Sequence, residues 1–397
     1  MTTAGSEKEK VITLLLLLSR NAFTDDERAL AESICRSLTD WELFTDLVIR
    51  HGVAALVWQN IADLGLSEAV PGAERAILEG IRFKTIARVS YITTAAAEVV
   101  TALENEGIRS LLLKGLALEH SVYGSRGLRQ MSDADLLVAP EDVLRARDIL
   151  IRTGFVSMPM KSSLYRHIIL DLGNHLPELH RRGISVDLHH RLFGPEGTTI
   201  VRRALDEPEV ISAGGRTFLA LPPVTALLGL VNHIFKHEVK GEFQLRLYTD
   251  IYLLLKKHGE DILNEELMSE AAEAGIAGEM RIVLTIINKF YGIVIPSVFN
   301  ALDGPGQERV AAFRSNLLDP GTAKPQSRKD IFLENIRSLK GMRRKMIFIT
   351  GDLFPSVEFM KNRYGCRSTM SALLFYPHRL GKIIWIFDLI LAKPRVK

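Results

Sequence analysis

Asp133, Asp135 and Asp187 are the residues of this chain whose type and spacing best suit chemistry. The first two lie in Ser132-Asp-Ala-Asp-Leu-Leu-Val138, an apolar run broken by carboxylates at i and i+2. On a strand, i and i+2 share one face. Strand interiors are depleted in Asp, and like charges side by side repel. A hard divalent cation with oxygen ligands would neutralise such a pair. Asp187 is the lone acid of a second apolar run, Ile184-Ser-Val-Asp-Leu188. Any one of these acids could be a turn or surface acid. Three together, behind a Lys-Gly turn, favour a metal site.

That turn is Lys114-Gly115, which ends Arg109-Ser-Leu-Leu-Leu-Lys-Gly115. A strand-to-helix junction offers backbone N–H groups and a helix N-terminus to phosphate. Arg126 and Arg129 precede the Asp-Ala-Asp strand and could pair with a triphosphate or remain solvated. His189 alternates onto the face of Asp187, where it could touch substrate or orient the acid. His233 and His237 stand at i and i+4, a zinc-ligand spacing, but His-Ile-Phe-Lys-His lacks the metalloprotease Glu, which argues against zinc. The pair could face phosphate together with Lys236, or serve interhelical packing. Arg246 and Asp250, further along, share those alternatives. Two metals ~3.5–4 Å apart can clamp the attacking and leaving oxygens of an in-line displacement. Asp133 and Asp135 suit ligands shared by both ions. Asp187 suits the ion that activates an acceptor hydroxyl.

The elements that must position these residues follow from periodicity. Residues 1–106 read as helix after helix, with Thr39 or Asp40 as an N-cap and Pro71-Gly72 as punctuation. At Gly107 the pattern changes. Strands are expected at 108–113 and 133–138, helices at 116–123 and 141–153, and a hairpin of 175–180 with 185–189 turned by Arg181-Arg-Gly183. Residues 217–221 add an edge strand. This 107–221 core is followed by a helical domain over 222–302. Residues 303–397 read as a flexible segment, to about 329, and then helices. The predicted fold class is α+β, a small mixed sheet flanked by helical regions.

The chain has 397 residues, enough for two or three domains, with 47% hydrophobic and 24% charged residues. A net charge of +3 argues against an extended nucleic-acid surface. Two cysteines, Cys35 and Cys366, exclude a disulfide framework and suit a reducing cytoplasm. The N-terminus lacks the basic and apolar regions of a secretory signal. The apolar runs 11–18 and 383–392 fall short of the ~20 residues of a spanning helix. The second, with basic flanks, suits docking on the core or a weak peripheral membrane contact.

At these motifs the chain resembles the DNA polymerase β-type nucleotidyltransferase superfamily, and within it the uncharacterised bacterial nucleotidyltransferase family 5. The matching blocks are Leu-Leu-Leu-Lys114-Gly115, Gly127-Leu-Arg129-Gln-Met-Ser-Asp133-Ala-Asp135-Leu-Leu-Val138 and Val-Asp187-Leu-His189-His-Arg-Leu192. The likeness extends through Asn232-His233 to His237, through Leu247-Tyr-Thr-Asp250, and to Leu353-Phe-Pro-Ser356 with Arg363-Tyr364. It departs from the superfamily in having Leu116 where Ser or Gly usually follows the glycine, and in the long spacing from Gly115 to Asp133.

The resemblance implies an NTP substrate, with ATP as the default, two Mg²⁺ ions, and transfer of a nucleoside monophosphate with release of pyrophosphate. Asp133 and Asp135 would bind both ions and Asp187 would complete the activating site. Lys114 and Gly115 would approach the outer phosphates, supported by Arg129. His189, His233 and His237 are further nucleotide-binding candidates. The acceptor is open: a peptide, a protein or a small-molecule hydroxyl. Relatives are associated with peptide natural-product gene neighbourhoods. Phosphoryl transfer and a catalytically inactive nucleotide-binding scaffold are the alternatives.

Overall fold

A computed structural model describes residues 3–194, 197–299, 301–319 and 327–382. Five helices come first: α1 (Thr3–Leu18), α2 (Asp25–Ser37), α3 (Trp41–Arg50), α4 (Ala54–Asp63) and α5 (Gly72–Glu104). Asp40 caps α3 through the Leu43 N–H. Thr24 and Glu27 form a reciprocal capping box on α2. At 33 residues α5 is long and apolar enough to cross a bilayer. Its buried stripe of Ile92, Ala96, Val99 and Leu103 instead packs on the sheet.

The sheet region runs β1 (Ser110–Leu112), α6 (Lys114–Ser121), β2 (Asp133–Val138), α7 (Val143–Arg152), β3 (Val156–Ser157), β4 (Leu179–Arg181), β5 (Ile184–His189), α8 (Thr198–Asp206), β6 (Glu209–Ala213) and β7 (Arg216–Ala220). The strands form one mixed sheet in the order β3-β4-β5-β2-β1-β7-β6. The class is α+β, as the sequence predicts. β2 and β5 pair in parallel and β1 runs antiparallel to β2. Alternation assigns the faces. Ala134, Leu136, Val138, Val186 and Leu188 point into the core under α5 and α7. Asp133, Asp135, Asp187 and His189 therefore share the opposite face.

Helices α9 (Pro223–Val239), α10 (Leu245–Ile262), α11 (Glu265–Glu273) and α12 (Ala277–Tyr291) follow, and their apolar stripes join α1–α4, Leu111 and Leu137 of the sheet, and Leu113 in the largest core. After them come α13 (Gly304–Leu318), α14 (Arg328–Ser338), α15 (Met342–Leu353), α16 (Val357–Tyr364), α17 (Thr369–Leu373) and α18 (Phe375–Lys382).

Three expectations are corrected. The segment from 303, read as flexible from its Gly and Pro, is helical over Gly304–Leu318. Asp303 caps it, and Pro305 sits in the first turn, where a missing N–H costs nothing. The first hairpin strand is only Leu179–Arg181; His175 makes a single bridge to His189. Arg182 and Gly183, both at positive φ, form its two-residue turn. The strand at 217–221 is internal, lying parallel to β1, and the edge is the unpredicted β6. The apolar stretch 383–392 lies outside the described residues.

Candidate functional site

The parallel β2–β5 ladder sets Asp135 opposite Asp187 and Leu137 opposite His189. Ligand atoms of Asp135, Asp187 and His189 all lie within 4.8 Å of one another. Asp135 is buried, and its Oδ1 accepts hydrogen bonds from Lys114 Nζ at 2.8 Å and from His189 Nε2 at 2.7 Å. Burial opposes its ionisation, but the Lys114 ammonium and the His189 bond outweigh burial and hold the carboxyl well below the usual range. An ionised carboxylate only accepts, so His189 Nε2 carries the proton. Burial pushes His189 down to about 4, which keeps the ring neutral. His189 thus orients Asp135.

Asp187 has the opposite surroundings. Its Oδ1 is buried without a hydrogen-bond partner. Burial, with Asp135 and Asp133 nearby, pushes its carboxyl up to about 6 against the opposing influence of His175. A buried carboxylate oxygen lacking a donor, beside a second carboxylate, is a donor set that fits a hard divalent cation. Asp133 stands half-buried at the start of β2, outside the three-residue cluster, and burial and Asp135 raise its carboxyl too. The sequence pairs Asp133 with Asp135; the fold groups Asp135 with Asp187 and His189.

Lys114 opens α6 at φ +46°, a region that a side chain with a Cβ enters at a cost. Gly115 follows, and a Cβ there would meet Arg129 Nη1 at 2.5 Å. The glycine is required because a guanidinium lies against it. Arg129 is buried and bonded through Nε and Nη2 to both oxygens of Asp250, at 2.9 and 2.7 Å, with the Tyr123 hydroxyl donating to Oδ1 at 2.9 Å. Although burial disfavours its charge, Asp250 holds Arg129 protonated. Arg129 and Asp250, candidates for phosphate, are each other's partners and tie the 122–132 loop to α10. Arg126 pairs with Asp63 instead.

Glu119, absent from the sequence reading, is fully buried on α6 and accepts the backbone N–H groups of Gly127, Leu128 and Arg129. It folds the loop that delivers Arg129. His175 was missed as well. Its ring centroid lies 5.2 Å from that of His189. Nothing in the local pattern marks His175, whereas Glu119 interrupts an apolar helix face and is visible as an anomaly.

The two histidines of α9 stand edge to face, ring centroids 4.4 Å apart, but differ in their other surroundings. His233 is half-buried; burial, with Lys114 adding to it, takes the ring down to about 2. His237 Nδ1 bonds Glu242 at 2.6 Å across the end of α9. Arg246 also turns to protein, through the Gln130 carbonyl and Gln244.

A mixed sheet presenting acids on adjacent strands, behind a strand–turn–helix with Lys-Gly, defines a nucleotidyltransferase core. Residues 37–292 match the family described as uncharacterised nucleotidyltransferase, and the chain belongs to that family. The match takes in the whole sheet and the acid cluster; α13–α18 follow it. No curated protein matches the chain significantly.

Proposed function

We propose that the chain transfers a nucleoside monophosphate from an NTP to an acceptor hydroxyl and releases pyrophosphate. The observation that carries this reading is the register pairing of Asp135 with Asp187, one carboxylate ionised and the other with a buried oxygen that lacks a partner. Asp135 and Asp187 would hold a divalent cation, Mg²⁺ by their hard oxygens, with Asp133 completing the set from the start of β2. When bound, such a cation neutralises phosphate charge and eases deprotonation of a hydroxyl.

The protein's own groups supply the rest. His189 fixes the Asp135 carboxylate. Lys114, tethered at the start of α6, can exchange Asp135 for an outer phosphate, as a point charge that follows the nucleotide. His233 offers a neutral imidazole from α9. The Arg129–Asp250 pair holds the loop beneath them rigid. ATP is the default nucleotide, and a nucleotide substrate with two free thiols supports a cytoplasmic setting.

The test is incubation with each NTP and Mg²⁺ in the presence of candidate hydroxyl acceptors, with phosphate products and acceptor masses read together. Pyrophosphate and an acceptor heavier by a nucleoside monophosphate are expected. A nucleoside diphosphate with a phosphorylated acceptor would replace this reading by phosphoryl transfer.

A further inference from the structure

A cleft of about 890 Å³ reaches His175, whose ring neighbours His189 of the acid cluster. One wall is the stretch 159–177 between β3 and β4; the other is α14, α15, α16 and α18. These helices lie beyond the matched family region, so half of the cleft is built by the chain's own C-terminal part. His175 lines the cleft, next to His189 and, through it, Asp135. His175 Nδ1 donates to the Leu176 carbonyl at 2.9 Å.

The lining is mainly apolar and aromatic, including Met160, Tyr165, Phe332, Phe348 and Phe359. Four charged groups interrupt it, and they do not balance. Lys161 and Arg379 both converge on Asp352. Among the described residues, Arg379 Nε is buried with no hydrogen-bond partner. Arg363, at the exposed rim, has no hydrogen bond or ion pair among the described residues. Arg363 and the Arg379 Nε leave donors for one more anion. The volume is that of a site for an organic molecule, too small for a folded partner or a duplex.

We propose that this cleft binds the acceptor, and that the acceptor is a compact apolar or aromatic molecule bearing a carboxylate. The carboxylate meets Arg363 and Arg379 while a hydroxyl at the other end reaches His175 and the acid cluster. This rests on the nucleotidyl-transfer reading. In the transfer, the acceptor oxygen bonds the α-phosphorus and the α–β bridging P–O bond breaks. Pyrophosphate leaves, and the hydroxyl proton passes to solvent water. A free aromatic acid and the C-terminus of a short apolar peptide share the recognised chemistry.

Binding without nucleotide separates this proposal from the function on which it rests. Calorimetric titration of the full chain would use 2-naphthylacetate and its neutral amide, and N-acetyl-Phe-Leu-Phe as acid and as amide. At least one acid should bind at least tenfold more tightly than its amide; which acid binds better assigns the source. Arg363→Ala should remove that preference, and Asn335→Trp, which fills the cleft from α14, should abolish binding. Arg363→Lys should restore part of the preference, with melting temperatures confirming that each variant folds. Equal binding of acids and amides, no binding of any probe at millimolar concentration, or binding untouched by both Arg363→Ala and Asn335→Trp would overturn the proposal. Loss of turnover with intact acid binding would count against nucleotidyl transfer and leave the cleft standing.

Discussion

Asp135 and Asp187 are register partners on parallel strands, yet their surroundings drive their carboxyls in opposite directions. Lys114 and His189 overcome burial at Asp135 and keep it ionised. Asp187, with burial dominant and one oxygen without a donor, rises to about 6. Neighbouring acids whose environments push their protonation apart are a recurrent property of catalytic sites, and of cation sites before the cation binds.

Substitution should expose the difference. Asp135→Asn and Asp187→Asn should each lower turnover at least about a hundredfold, the scale for removing preorganised charge at a reacting centre. Their effects on the metal-free fold should diverge. Asp135→Asn strips Lys114 of its partner and should cost about 1–3 kcal/mol. Asp187→Asn removes a carboxyl that burial disfavours and should leave the melting temperature unchanged or higher. Equal destabilisation by the two would contradict the asymmetry.

The same asymmetry has a pH signature. Asp187 has a folded value raised above its unfolded one, so its contribution to stability is fully present below about 4, the ordinary Asp value. It is lost as pH rises through about 6. The melting temperature of the metal-free protein minus that of Asp187→Asn should therefore fall between about pH 4 and pH 6 and level off above. Added Mg²⁺ favours the ionised form and should flatten or reverse that slope. A difference independent of pH, with and without Mg²⁺, would remove the basis for the cation site.

Lys114 joins backbone strain to charge. Both Lys114→Gly and Lys114→Ala abolish the ion pair with Asp135, but only glycine adopts φ +46° freely. Lys114→Gly should be the more stable by about 1 kcal/mol. Both should weaken triphosphate binding more than monophosphate binding under the proposal that the ammonium meets the outer phosphates. Equal weakening would confine Lys114 to its contact with Asp135.

Much of the site was legible because period-two alternation is a local property. Asp133-Ala-Asp135 and Val186-Asp187-Leu188 announce strands with acids on one face, and both strands form where that pattern puts them. What sequence leaves open is which strands become neighbours and in what register. The register that sets Asp135 opposite Asp187 depends on the β2–β5 ladder. Arg129 illustrates the same limit. A loop arginine before a catalytic strand suits phosphate, but its partner Asp250 lies on a helix more than a hundred residues away. His175 reaches the cluster through one bridge to His189, beyond any periodic signal.

Arg129 and Gly115 should behave as one unit. Arg129→Lys keeps the charge but loses the two-point bond to Asp250 in a site where both side chains are buried, so a loss of about 3–5 kcal/mol is expected. Gly115→Ala drives a methyl group against the guanidinium and should destabilise by about 1–3 kcal/mol. Because both disturb the same group, the double variant should cost less than the sum of the two. Additive losses would show that Gly115 answers to something other than Arg129.

The two histidines of α9 provide the remaining test. His233 feels Lys114, Asp135 and Arg129 and sits over the site, whereas His237 is occupied by Glu242 at the end of the helix. The spacing that places both on one helix face does not give them one role. His233→Ala should raise KM for NTP several-fold with little change in melting temperature. His237→Ala should leave KM unaltered and lower stability modestly, by roughly 1 kcal/mol for one hydrogen bond. Glu242→Gln should reproduce the His237 result, since it weakens the same bond from the other side. If His237→Ala raises KM as much as His233→Ala does, the whole face of α9 contacts nucleotide, and the division between the two residues fails.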